Sequence, residues 1–405
     1  MPSHASLVVL LAALTAIGPF AMQALAPALP AVARDFGVSA AAAQLLLSVS
    51  LAAMALSTLI WGPLSDRLGR RPVLIGAMWL AVVGSAIAGV APDLGFAVAG
   101  RVLQSAGAVA GMVLSRAIAQ DVYGRDGAAA VIGQITAAMV VAPMLAPVLS
   151  GFMVEWFGWR SVFAMAAAIA VALALLARAR LPETAPPSDP RGWGDVARGL
   201  VEVGRRRAFW AYSCYGVASF SSFLFFVGSA PFVMQEAYGV GPKGYGVYFI
   251  LVSLTYMLAN LLCGPITRRM GGERAIRAGA LFAVAGVVFG ISLALAGVRD
   301  PMVLMSSVML QSLGAGVSVP NAMAGAVGAA HDRPGSASGL MGFCQFLGGG
   351  VMVQLAGFLP HGSVLPTLAV MLALLIAGLL SHLWLVRTAP VSRPVAGAVA
   401  GARED

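Results

Sequence analysis

Runs of about twenty apolar residues, parted by short stretches of turn formers and charge, dominate this chain of 405 residues. A helical run of that length, rising about 1.5 Å per residue, matches the hydrocarbon thickness of a bilayer. The pattern predicts helical segments at 6–28, 42–63, 72–91, 95–119, 129–152 and 160–178, and then at 208–235, 244–265, 274–297, 301–326, 336–358 and 364–386. Between the sixth and seventh lies a polar stretch rich in Pro and Arg, Ala179 to Arg207, which reads as a linker. The expected organisation is an N-terminal six-helix half at 1–178, a cytoplasmic linker at 179–207, a C-terminal six-helix half at 208–388 and a disordered tail at 389–405. Leu7 to Met22, followed by Ala24-Leu25-Ala26, imitates a signal peptide. No Lys or Arg precedes it and its apolar run is too long, so it reads as an uncleaved first helix.

Composition agrees with lipid as the solvent. The chain is 60% hydrophobic and 10% charged, with a mean hydropathy of +0.89, more apolar surface than a water-soluble domain can hide. The net charge of +9 could suggest nucleic acid. The charges sit in the gaps between apolar runs, however, and that distribution belongs to membrane topology. With both ends inside, 20 of the 25 basic residues fall in cytoplasmic loops and Arg34, Arg160, Lys243 and Arg299 fall outside, while Arg101 alone lies within a segment. The positive-inside rule therefore predicts a multi-pass membrane protein with both termini cytoplasmic. Cys214, Cys263 and Cys344 lie singly, and the four histidines (His4, His331, His361, His382) are scattered, so neither a disulfide, a metal site nor a cofactor is expected.

An internal repeat supports the two halves. Gly264-Pro265-Ile266-Thr267-Arg268-Arg269-Met270-Gly271 echoes Gly62-Pro63-Leu64-Ser65-Asp66-Arg67-Leu68-Gly69 at an offset of 202. Leu310-Gln311-Ser312-Leu313-Gly314-Ala315 echoes Leu103-Gln104-Ser105-Ala106-Gly107-Ala108 at an offset of 207. The copies differ in charge: Asp66 becomes Arg268 and Arg101 becomes Val308.

The loop from Gly62 to Pro72 joins segments 2 and 3 and carries Asp66, Arg67, Arg70 and Arg71. Gly62 and Pro63 read as the end of a helix, Gly69 as a tight turn and Pro72 as part of the next helix's first turn. This stretch resembles the signature loop between helices 2 and 3 of the major facilitator superfamily. The resemblance implies an all-α membrane protein with 12 transmembrane helices in two pseudo-symmetric six-helix halves around a central cavity. It also implies that Asp66 takes part in a cytoplasmic gate, here with Gly62, Arg67, Gly69, Arg70 and Arg116. The residues alone leave a local turn role open, with Asp66 at a neighbouring helix N-terminus or paired with Arg116.

Arg101 lies about two turns inside segment 4. A central arginine costs roughly 2.5–3.5 kcal/mol to insert, so it should face a polar cavity or partner; the other reading is a side chain reaching for the interface. Arg101, Gln104 and Gly107 form a run that resembles the helix 4 motif of drug–proton antiporters, which implies a part for Arg101 in substrate or proton coupling. Segment 5 holds Pro143, Pro147 and Gly151, a kinked, small-residue helix that resembles the antiporter motif of exporters, with Ala146 and Ser150 where glycines are usual. Plain kinked packing fits the same residues. Segment 1, from Ala16 to Pro30, resembles helix 1 of the bicyclomycin/chloramphenicol-resistance branch of drug exporters, which commonly carries an aspartate where Gln23 stands. Gln23 cannot titrate, and no Asp or Glu lies near the centre of any segment. Proton coupling must then use interfacial acids such as Asp35 or Asp66, or the substrate's own proton.

Aromatic residues in segment 7, among them Tyr215 and Phe223, are interleaved with serines and suit amphipathic organic molecules or simple packing. Gln311 and Gln345 are uncharged polar groups suited to the same cavity. The expected function is secondary active efflux of small amphipathic drugs or metabolites by alternating access, with protons as one coupling ion and the lipid bilayer as surroundings. The alternative is a dedicated exporter or importer of an anionic metabolite paired with Arg101. A monomer without covalent chemistry or nucleic-acid binding is expected. A membrane enzyme would need acid or histidine clusters near an interface, and a channel would not need duplicated loops.

Overall fold

The computed structural model of the chain describes residues 4–185 and 193–388, with side chains throughout except at 125–130, 136–140 and 193. The expected tail at 389–405 lies outside the described residues. Helices account for nearly all of the rest: α1 (His4–Leu25), α2 (Leu29–Asp35), α3 (Ala40–Leu68), α4 (Arg70–Gly89), α5 (Leu94–Phe157), α6 (Arg160–Arg180), α7 (Trp193–Gly204), α8 (Arg207–Glu236), α9 (Pro242–Met270), α10 (Gly272–Leu295), α11 (Met302–Gly328), α12 (Pro334–Ala356) and α13 (Leu365–Thr388). Among the described residues, eleven spans are long and apolar enough to cross a membrane, and Val141–Phe157 is a shorter apolar helix.

Several boundaries differ from those read off the sequence. Segment 1 is broken by a 3₁₀ turn at Ala26–Ala28, where Pro27 and, three residues on, Pro30 each lack an amide donor. Segments 4 and 5 run together as α5, and Gly124 (φ 66, ψ −178) marks the kink between them. Gly62 and Pro63 do not end α3. The helix continues to Leu68 and stops at Gly69, whose φ of 96 only glycine adopts cheaply. The linker contains a helix, α7, whose Val196, Leu200 and Val203 recur at helical spacing; its Gly199 lies against Ser336 at the start of α12, and Val203 is fully buried with Ala337 and Met341 of that helix.

The repeat seen in sequence is a repeat of backbone and packing. Gly271 ends α9 with φ 80 and ψ 154, matching Gly69 with φ 96 and ψ 146. A Cβ on Gly84 would come within 2.2 Å of the Gln104 amide nitrogen, and one on Gly286 within 3.2 Å of that of Gln311. Small residues allow this approach, and close packing holds helices together where lipid supplies no hydrophobic drive between them.

The basic end is the end carrying the arginine loops after α3 and α9. Apolar cores there stay within one half: Leu7, Leu74, Leu114 and Leu181 belong to one, Tyr215, Ile276 and Leu379 to another. At the opposite end a single core joins the halves, packing Leu25, Leu29 and Leu46 with Phe226, Val233 and Phe249. Hydrogen bonds cross there as well: Gln44 Nε2 to the Gly228 carbonyl (2.6 Å), Ser48 Oγ to Gln354 Oε1 (2.6 Å) and Gln354 Nε2 to the Ala41 carbonyl (2.8 Å). Two crossings bring backbones together, α3 against α12 and α5 against α9. In the second, a Cβ on Gly246 would meet the Pro147 carbonyl at 2.4 Å and one on Gly151 the Pro242 carbonyl at 2.6 Å. Pro147 and Gly151 of the expected kink motif are thus part of the seam between halves, and Pro143 lies one turn earlier in α5.

A Cβ at Gly107 would lie 2.3 Å from the Ala77 carbonyl and 2.6 Å from the Ala81 nitrogen, whereas Gly76 has open space. Gly107→Val is expected to destabilise the protein by about 1–3 kcal/mol. Gly76→Ala should stay within about 0.5 kcal/mol of the parent, both read as thermal unfolding midpoints in detergent.

Candidate functional site

Arg101 projects from α5 into the N-terminal half and is 1% exposed. Its Nη1 donates to Gln104 Oε1 (2.5 Å) and to the Ala21 carbonyl (3.4 Å), and its Nε donates to the Leu46 carbonyl (3.3 Å). Gln104 Nε2 donates in turn to Ser85 Oγ at 2.8 Å. The guanidinium therefore ties α5 to α1 and α3 directly, and to α4 through Gln104. Every one of these acceptors is neutral. Nη2 is buried without a partner, and so is Oε1 of Gln23, itself 1% exposed two residues beyond Ala21 on α1. A buried guanidinium with unused N–H bonds and no carboxylate among these partners attracts an anionic or strongly polar group.

The C-terminal half answers with weaker polar groups. Gln311, in the repeat position of Gln104, is 1% exposed; it donates to Ser222 Oγ at 3.1 Å and leaves its Oε1 unpartnered. Gln345 donates to the Gly216 carbonyl at 3.4 Å. Phe223 packs near Phe226 and Phe249, with ring centroids 6.2 and 6.4 Å away. Tyr215 lies apart from these: its hydroxyl meets Ser318 Oγ at 2.7 Å and its ring is fully buried among Ile276, Ala280 and Leu379. The structure thus brings Arg101 and Gln104 together and puts Tyr215 inside the wall of the other half.

The loop at the basic end is an ion cluster. Arg70 Nη1 bonds Asp66 and donates to Ser65 Oγ (2.6 Å), while its Nε donates to Asp121 Oδ2 on α5 (3.0 Å). The carboxylate of Asp66 is held by Arg70 of its own loop, and the acid that α5 contributes is Asp121. The helix N-terminus is filled by Glu183, which follows α6. Its oxygens accept from the Arg70 amide (2.8 Å) and the Arg71 amide (3.2 Å), the first residues of α4. A carboxylate there satisfies orphan donors and complements the helix dipole. Arg71 Nη2 closes the clasp on the Arg178 carbonyl at 2.7 Å. Arg67 is exposed and Gly62 has nothing within 4 Å of where a Cβ would sit; Arg116 lies half-buried on α5.

The family profile described as Major Facilitator Superfamily matches residues 11–353 and 211–403. The chain belongs to the major facilitator superfamily. Like other members it is a multi-pass membrane protein. It is 25% identical to a bicyclomycin resistance protein homolog of Haemophilus influenzae, over 92% of this chain and 94% of that one. It is 27% identical to a chloramphenicol resistance protein of Pseudomonas aeruginosa, over 92% and 88% of the two chains. The fold matches the crystal structure of a D-xylose-proton symporter with a TM-score of 0.76 at 15% identity, covering 96% of this chain and 98% of that one. The resemblance to the bicyclomycin/chloramphenicol branch of the superfamily, first carried by segment 1, therefore extends over most of the chain.

Within this major facilitator fold, Ser85, Asp121 and Glu183 are the contributors that sequence reading missed. Ser85 had no signal beyond a small polar residue in an apolar run. Glu183 lies 113 residues from Arg70, and nothing local marks it as the cap of α4. Burial works to raise the Glu183 carboxyl, but the N–H groups of Ala185, Arg70, Thr184 and Arg71 outweigh it and hold the group below its ordinary value of 4.5. A carboxyl held low adds stability above its unfolded value and loses it as pH falls through the folded one. Glu183→Gln should cost about 1 kcal/mol at pH 7, discounted for exposure. The gap between the two unfolding midpoints should close as pH is taken below 4.5.

Proposed function

We propose that this protein exports small amphipathic organic compounds across the bacterial inner membrane by alternating access, in exchange for protons, as a monomer with its basic loops and both termini in the cytoplasm. The observation that carries the reading is that the buried core and the hydrogen bonds joining the halves lie at one end. Their shared apolar core and crossing hydrogen bonds lie at the end opposite the basic loops. At the basic end, Arg70 is braced within its own half, and Arg206 binds Asp332 as Arg333 binds Glu202 around α7 and the start of α12. With the basic loops in the cytoplasm, this is a state open to the cytoplasm, where a compound for export is loaded. The direction and the drug-like cargo are supported by the names of the resistance proteins to which the chain is similar.

In this reading Arg101, Gln104 and Gln23 hold the substrate's polar group, and Phe223, Gln311 and Gln345 supply the other half's share of the surface. Tyr215 acts indirectly, by bracing α8. Asp66, Arg67, Arg70 and Arg116, with Gly62 and Gly69 shaping the loop, form the gate that meets the C-terminal half when the cytoplasmic side closes. A second reading, transport of an organic anion, is favoured by one observation: Arg101 Nη2 is buried and unpartnered, and its neighbours are neutral acceptors.

Cells lacking and overproducing the protein, tested against a compound panel with and without a protonophore, are expected to differ in tolerance only while the proton gradient stands. Arg101→Ala should lower transport by about tenfold or more with the protein still in the membrane, a loss of about 1.4 kcal/mol in transition-state terms. Unaltered transport in that variant removes Arg101 from the site. Uptake of an anion, but of no neutral or cationic drug, by inverted vesicles would favour the second reading. Asp66→Asn is expected to slow turnover at normal expression, and unchanged turnover would sink the gate.

A further inference from the structure

A buried titratable pair lies outside the site and the gate. His382 on α13 is 0% exposed and wedged between α8 and α10. Its Nδ1 lies 2.6 Å from the Ala211 carbonyl of α8, and its Nε2 lies 3.1 Å from Glu273 Oε1 in the first turn of α10. A backbone carbonyl and an ionised carboxylate are both acceptors. Neutral imidazole has one N–H and satisfies one of them, leaving lone pair against lone pair at the other contact. One additional proton, on the ring or on the carboxyl, turns both contacts into hydrogen bonds.

We propose that His382 and Glu273 form a proton-binding site at the basic end of the C-terminal half, and that this site loads the proton exchanged in transport. The second clause rests on the export reading; the first does not. The facing groups are few. From α8 come Tyr212 and Tyr215, ring centroids 5.6 and 6.4 Å from the imidazole. From α10 come Glu273 and Arg277, whose Nε and Nη2 donate to the same Oε1 at 3.1 and 2.8 Å. On α13 itself, Arg387 follows more than a turn later. Glu273 Oε2 is buried and has no partner, a second place for the shared proton. The Glu273 side chain is 33% exposed and His382 fully enclosed, so the pair is reached from the Glu273 side and the imidazole lies deeper.

The location also supplies a route to the rest of the molecule. α8 holds Ala211 near its start and Gly228 near its end, where the carbonyl accepts from Gln44 across the seam. A bound proton fastens the basic end of α8 to α13 and α10, and its release loosens that end while the seam holds the other. Gln23, unable to titrate, leaves the coupling proton without a carboxylate at that position of α1, and the C-terminal pair fills that need.

The test uses the full-length protein in detergent, with unfolding midpoints recorded from pH 5 to 9 for the parent, His382→Asn and Glu273→Gln. If the folded state holds one proton more than the unfolded chain, stability falls as pH rises through its release, by up to tenfold in the folding equilibrium per pH unit. That slope is expected in the parent and should flatten in both variants; a slope surviving unchanged in His382→Asn overturns the proposal. Should His382→Asn fail to fold, Glu273→Gln decides on the same criterion. Transport in inverted vesicles, with pH varied on the side bathing the basic end, should lose its pH response in the variants, and a response equal to the parent's overturns the coupling role. Because the unfolding slope needs no substrate, a chain that binds the proton but exports nothing would refute the export reading and leave the proton site standing.

Discussion

A guanidinium that must be kept from lipid organises the N-terminal half. Placing Arg101 mid-helix costs roughly 2.5–3.5 kcal/mol unless its N–H groups find oxygen. They find it in carbonyls of α1 and α3 and in Gln104, and α1 comes this close to α5 at a glycine, where a Cβ on Gly111 would lie 1.9 Å from the Leu14 carbonyl. Gly84 lets α4 lie on the backbone of Gln104, which in turn aims the amide at Ser85. Ridges, small residues and polar cluster are one arrangement: loosening the packing would strand the charge, and removing the charge would remove what the packing encloses. This explains why the cluster stays inside one half. A rigid half can rock as a body while its most expensive group never meets hydrocarbon.

The two halves share a backbone plan and divide the chemistry. Gly69 and Gly271 end matching helices in matching conformations, and Gln104 and Gln311 lie against matching glycines. Yet Arg101 corresponds to the buried Val308, and Asp66 to the exposed Arg268. The duplicated scaffold supplies the hinge-like symmetry that alternating access needs. The unmatched residues supply polarity: a fixed positive centre in the first half, and a titratable pair, His382 with Glu273, in the second.

What could be read from the chain and what could not follows from the range of the interactions. Apolar runs, the arginine bias and the repeated loop are local or periodic, so the pattern of spans, the pairing of halves and the enclosure of Arg101 among polar partners were all visible. Helix ends were less so. Pro63 looked like a terminator, but a proline near the end of a long apolar helix removes only one bond, and Gly69 makes the real stop. The helix α7 was overlooked because its surroundings are rich in proline and arginine, although Val196, Leu200 and Val203 carried the spacing. Partners distant in sequence left no mark: Glu183 capping α4, Asp121 reaching Arg70, and His382 meeting Glu273 across 109 residues. Scattered histidines look inert until the fold puts an acid beside one of them.

The seam between halves has to break in every cycle, and its construction is suited to that. It rests on a few neutral hydrogen bonds, each worth about 0.5–1.5 kcal/mol net, and on apolar contacts over glycines. No ion pair crosses it among the described residues: Arg160 with Asp35 and Arg70 with Asp121 lie within the N-terminal half, and Arg206 with Asp332 and Arg333 with Glu202 join the linker side to the start of α12. Had the seam been built of buried ion pairs, parting the halves would leave charges without partners at several kcal/mol each. Strong, charge-assisted bonds therefore brace what must stay rigid, and weak, neutral ones close what must open. In the proposed export cycle, such a division lets a single proton or a single bound molecule, each acting with only a few kcal/mol, decide which end of the molecule is shut.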